Sequence, residues 1–212
     1  MYSQQVAMLQ QTLAELAKKA NLSMTPELHI SKHERLASVN IFQRRITVGE
    51  HLLDLWREEK FDDADVEATL AHEVGHLMDL SRESRSASFR NFIFASIWFV
   101  FGIFPFAVYA FFPSFEILAF SILFLACWGF SLPRILRRID VNVELEADKN
   151  AALYLVEPKK LANTLTKIYA LKTSTKSFGL ITMVGSFVGI ITHPSFKERI
   201  NHLNSLTPIY EA

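Results

Sequence analysis

The residues best placed to do chemistry are His72-Glu73-Val74-Gly75-His76, an H-E-x-x-H box ahead of a long apolar stretch. On a helix, positions i and i+4 share one face, so His72 and His76 can offer imidazole nitrogens to a single metal ion. Glu73 stands beside them, where it could take a proton from a metal-bound water. Zinc brings the pKa of its water to roughly 7, and a carboxylate accepts the proton. A third protein ligand is needed, and Val143-Glu144-Leu145-Glu146-Ala147-Asp148 offers one. Glu144 and Asp148 are i and i+4 on a helix-periodic segment, so one can ligate while the other braces a ligand histidine. Glu146 points elsewhere and reads as solvated.

These motifs, in order, resemble a family. HEVGH, a hydrophobic insertion, ELEAD and then HPSFKERI are similar to the HtpX-type membrane zinc peptidases, relatives of the CAAX prenyl proteases and the mitochondrial Oma-type peptidase. The resemblance runs from about Ala37 to Leu203. It implies one zinc ion per chain held by His72, His76 and Glu144, with Glu73 as general base and Asp148 supporting a ligand. It also implies that His193 and Arg199 face the site. Asn142, Val143 and Leu145 stand where members often carry arginine and an aromatic residue, which leaves substrate positioning open.

The elements that must position these residues follow from patterning. Twelve of the 18 phenylalanines lie between Phe92 and Phe130. Phe92–Phe112 is 21 residues without a charge, Pro113-Ser114 makes a turn, and Phe115–Leu132 adds 18 residues with only Glu116 charged. Each run is long enough for a hydrocarbon core about 30 Å thick. Arg82, Arg85 and Arg90 flank one arm and Arg134, Arg137 and Arg138 the other, and the turn carries no basic residue. The positive-inside rule then places both catalytic segments on the cytoplasmic side of an integral membrane protein with two spans. If the His76 helix continues toward the membrane, His76 to Asn91 spans roughly 22 Å and Leu132 to Glu144 about 18 Å, so the arms return the motifs to similar heights unless either helix breaks.

The remaining sequence predicts a mainly helical α+β fold: a gluzincin-like zinc peptidase domain, 1–90 and 134–212, with a two-helix transmembrane hairpin inserted at 91–133. Gln4–Ala20 repeats apolar positions at helical spacing until Asn21. Leu28–Ile30, Leu36–Phe42 and Arg45–Val48 read as strands, Gly49–Trp56 as a short helix, and Asp62-Asp63 as the cap of the metal-box helix. Pro158 and Pro194 suit first helical turns. Gluzincin-type proteases commonly present an edge strand to the substrate; here the candidate is Leu36–Ile41, with Val39 and Asn40 against the peptide. An internal strand reads equally well.

Phe178–Thr192 is an apolar run of 15 residues with three glycines, short for a span and suited to a membrane-facing or re-entrant segment. His193, next to it, could donate to the oxyanion formed when water attacks a peptide carbonyl, or serve structure alone. Arg199 is expected to pair with a carboxylate such as Asp148. Lys+Arg and Asp+Glu are both 22, which argues against nucleic acid as a partner. The single Cys127 excludes an intrachain disulfide, and MYSQQVAMLQ lacks the features of a cleaved signal peptide. Two function classes follow. One is an endopeptidase acting on polypeptides, chiefly exposed or misfolded segments of membrane proteins at the bilayer. The other is a zinc-binding membrane adaptor without catalysis. Retention of Glu73 favours the enzyme.

Overall fold

The structure is a computed structural model that describes residues 2–34, 36–79, 141–174 and 194–210, with isolated positions between 92 and 122. The chain divides into two compact units: Met1–Leu80 with Asn142–Phe178 and Pro194–Ala212, and Ser81–Val141 with Gly179–His193. The two arms of the expected hairpin fall, apart from those isolated positions, outside the described residues, as do the flanking arginines and the Phe178–Thr192 run. Among the described residues no helix is long and apolar enough to cross a membrane.

The first unit is a mainly helical α+β arrangement with one small sheet. Helix α1 (Ser3–Lys19) buries Leu9, Leu13 and Leu16 along one stripe, the 3-4 spacing expected of a helix with one face in the core. It ends at Asn21, whose φ of 52° is the left-handed conformation that asparagine tolerates. The amides of Asn21 and Leu22 return to the carbonyls of Lys18 and Ala17, satisfying groups the helix leaves open.

Strands β1 (Glu27–Ser31), β2 (Ala37–Asn40) and β3 (Arg45–Gly49) form a sheet in the order β1-β3-β2. β3 lies between a parallel β1 and an antiparallel β2 and buries Ile46 and Val48 completely. β2 is shorter than the apolar run suggested, because Asn40 turns the chain: its Oδ1 accepts from the Gln43 amide at 3.1 Å. Gly49 then starts α2 (Glu50–Arg57), which sends Leu52, Leu53 and Leu55 inward.

Helix α3 (Asp63–Met78) carries the H-E-x-x-H box and is buried on most of its circumference. Its start is fixed by a reciprocal pair: Asp62 accepts from the Asp65 amide at 2.9 Å, and Asp65 accepts from the Asp62 amide at 3.0 Å. Asp65 also takes the Thr164 hydroxyl at 2.9 Å and the Lys167 ammonium, both from α5 (Pro158–Ser174). Residues 141–154 form α4, and α6 (Phe196–Tyr210) closes the unit against α5. Pro158 opens α5 as its first residue, whereas Pro194 sits ahead of α6. There Ser195 and Glu198 cap the helix reciprocally, at 2.7 and 3.2 Å, so the start falls after Ser195. One apolar core joins all these helices with β3; Leu70, Ala71 and Val74 of α3 are at its centre.

Candidate metal centre

His72, His76 and Glu144 converge on one point: one ligand atom from each lies within 4.8 Å of the others. The two imidazoles come from successive turns of α3, with ring centroids 4.8 Å apart at 80°. Glu144 comes from α4, with His72 Nε2 3.4 Å from Glu144 Oε2 and His76 Nε2 3.8 Å from Glu144 Oε1. Ligands held about 2.0–2.1 Å from a tetrahedral zinc stand roughly 3.3–3.4 Å apart. The donor set therefore fits zinc in chemistry; the contacts of Glu144 with His72 and His76 lie near that spacing, and the cluster as a whole, within 4.8 Å, is wider.

Asp148, one turn after Glu144, is fully buried and lies 2.9 Å from His72 Nδ1. A carboxylate only accepts, so Nδ1 carries a proton toward Asp148, and Nε2 is the nitrogen that faces His76 and Glu144. Arg199 of α6 holds Asp148 in turn through Nε, at 2.7 Å, and through Nη2. This fork keeps Asp148 ionised: burial alone would raise its pKa, and the hydrogen bonds from Arg199 and His72 outweigh burial and hold it below the ordinary carboxylate range. Burial and the Arg199 charge oppose protonation of His72, but hydrogen bonds to Asp148 and Glu144 override them and push it up to about 10. Without a cation His72 therefore holds protons on both nitrogens, and a metal would take the place of the Nε2 proton while Asp148 keeps the one on Nδ1.

Glu73 is buried, and burial pushes its carboxyl pKa up against the opposing pull of His72 and His76. Glu146, expected in solvent, is half-buried and pairs with Lys149 at 3.0 Å. His193 lies outside the described residues. Of the two strand residues expected to meet substrate, only Val39 has its main chain at the open edge. The Gly49 amide donates to the Leu36 carbonyl at 2.7 Å. In an antiparallel ladder residues alternate, so Leu36, Ser38 and Asn40 bond to β3 while Ala37 and Val39 turn their N–H and C=O outward. The Asn40 side chain is taken up by its own turn. β2 is an edge strand of the described sheet and runs beside α3.

Two contacts between the ligand-bearing helices are not apparent from ligand spacing. A Cβ on Gly75 would stand 2.5 Å from the Ala147 carbonyl oxygen, so α3 and α4 meet backbone to backbone between the ligands. Asn150 Nδ2 donates to the Gly75 carbonyl at 3.2 Å. A small residue on each ligand helix, Gly75 and Ala147, is the signal that close packing leaves in the sequence.

The profile of peptidase family M48 matches residues 3–207, and the chain belongs to that family. It is thus a peptidase with polypeptide substrates. A search of curated proteins finds no match.

Proposed function

We propose that the protein is a membrane-anchored zinc metalloendopeptidase of the HtpX type. Its substrates are exposed or misfolded segments of membrane proteins, and its active site lies on the cytoplasmic side. The observation that carries the enzymatic part is the convergence of His72, His76 and Glu144 beside a buried Glu73. Zinc held there supplies Lewis acidity that lowers the pKa of water toward neutrality. Glu73 accepts the proton of the attacking water and passes it to the departing amine; its upward-shifted pKa suits both transfers. Asp148 holds His72 in the Nδ1–H form, and Arg199 keeps Asp148 charged. An extended substrate adds to β2 through the main chains of Ala37 and Val39, which constrains side chains little and suits broad specificity. His193 is assigned to the oxyanion that develops on the attacked carbonyl. The adaptor reading loses ground because a scaffold has no use for Glu73 poised beside three ligands.

Support for the membrane part comes from the two apolar runs, which carry Glu116 as their one charge, the arginines at their bases, and the 91–133 insertion that separates the two ligand segments. Purified detergent-solubilised protein should carry one zinc per chain and cleave casein. A chelator should abolish cleavage and added zinc restore it. Metal-free protein that cleaves casein at the full rate would refute the mechanism. Zinc-loaded protein inert on every polypeptide offered would restore the adaptor.

A further inference from the structure

The last turn of α3 poses a problem of its own. His76 is two residues from Met78, the last residue of the helix, and helix ends fray. A ligand on a fraying turn loses the fixed geometry on which metal affinity depends. The helix does not end on a glycine in the left-handed conformation: Asp79 follows with φ −118° and ψ 51°. Leu77 anchors this turn in the core, and the other ligand helix adds a directional contact. Asn150 reaches from α4 to the Gly75 carbonyl at 3.2 Å, and a carbonyl oxygen has a second lone pair to receive it beside the helix's own donor.

The contact sits where it has most leverage. Gly75 adjoins His76 in sequence, and Ala147, which meets Gly75, adjoins Asp148 and lies three residues from both Glu144 and Asn150. Backbone contact between Gly75 and Ala147 sets how closely the helices approach but resists sliding only weakly, because two small residues offer no interlocking side chain. The directional bond from Asn150 supplies that resistance. From these contacts we propose that Asn150 is a positioning residue: it locks α4 against the last turn of α3 and so sets the separation of Glu144 from His76. The inference rests on His72, His76 and Glu144 being the zinc ligands.

The test compares Asn150→Leu, which keeps the branching and heavy-atom count but is bulkier and lacks the donor, with Asn150→Ala, which favours helix and leaves a small gap. Leu206→Ala, a core truncation in α6 away from the ligands, serves as a control for lost stability. Zinc affinity is read by competition with a chromophoric chelator, and site geometry by the visible spectrum of the cobalt-substituted protein. Both Asn150 variants should bind zinc about 10-fold or more weakly and show an altered cobalt spectrum, in line with other residues that orient ligands. Leu206→Ala should lower the melting temperature yet keep the wild-type affinity and spectrum. Wild-type affinity in both Asn150 variants overturns the proposal, and so does an equal loss in Leu206→Ala. Wild-type protein that binds no zinc overturns the ligand assignment itself, a result distinct from the other two.

Discussion

Replacing Gly75 with alanine tests whether the close crossing of α3 and α4 builds the metal centre. The added Cβ would lie 2.5 Å from the Ala147 carbonyl oxygen and 3.2 Å from its carbon. Carbon and carbonyl oxygen settle at about 3.3–3.6 Å, so the helices must separate by roughly 1 Å. Overpacking of this kind costs about 1–3 kcal/mol, and alanine returns about 1 kcal/mol in helix propensity. Net destabilisation of the fold is therefore about 0–2 kcal/mol, a modest fall in melting temperature. The site responds far more steeply. His72 and His76 stand 3.4 and 3.8 Å from Glu144, and functional geometry tolerates about 0.5 Å of error. A displacement near 1 Å can cost about 10²-fold in rate. Thermal unfolding, zinc competition and kcat/KM on a casein-derived peptide should show a folded protein with weakened zinc binding and activity lowered on the order of 100-fold. Ala147→Gly added to Gly75→Ala should rescue nothing, because the obstructing atom is a backbone oxygen. Wild-type activity in Gly75→Ala, or full rescue by Ala147→Gly, would refute the reasoning.

Four further outcomes are expected. Glu73→Gln keeps size but cannot accept a proton, so turnover should fall by about 10²-fold or more with zinc retained; wild-type turnover would remove Glu73 from the role of base. His72→Ala, His76→Ala and Glu144→Ala should each lose most bound zinc while Glu146→Ala keeps it, and metal analysis showing the reverse for the two glutamates would move the third ligand. Asp62 has a lowered pKa, first through the Asp65 amide and then Lys167, so its stabilisation is complete above the ordinary aspartate pKa and disappears as pH falls through the folded value. Asparagine caps equally well, so Asp62→Asn should be less stable than wild type near neutrality and converge with it in acid; a gap in melting temperature that does not change with pH would contradict this. Finally, with Cys127→Ser, a cysteine at Ser114 should react with an impermeant thiol reagent on intact cells. A cysteine at Ser81 should react only after permeabilisation, and labelling there in intact cells would place the catalytic segments outside.

Much of the first unit is legible in the chain because its signals are local. The stripe of Leu9, Leu13 and Leu16 specifies a helix face, and Asn21 ends it by a conformation few other residues adopt. Asp62 opens α3 as a cap must, by answering an amide three residues on. Boundaries set by side chains folding back were harder to read. Asn40 cut β2 short by bonding to the Gln43 amide, and Ser195 moved the start of α6 beyond Pro194. Both choices depend on which of two competing hydrogen bonds the backbone takes, which residue type leaves open.

The chemistry of the site divides in the same way. Spacing alone puts His72 and His76 on one helical face and Glu144 and Asp148 on another, since an α-helix repeats every 3.6 residues wherever it is placed. The residue types of the donor set, and the acid beside it, follow from that regularity. Which carboxylate joins the two histidines and which meets His72 Nδ1 is decided by the crossing of α3 and α4, where Gly75 passes the Ala147 carbonyl and Asn150 reaches the Gly75 carbonyl. The open edge at Ala37 and Val39 is likewise a property of β3 lying inside the sheet, and of an alternation started by the Gly49–Leu36 bond. Periodicity within one element is written in neighbouring residues. The separation and rotation of two elements distant in sequence come only from packing, where a single missing Cβ or one amide hydrogen bond decides the outcome.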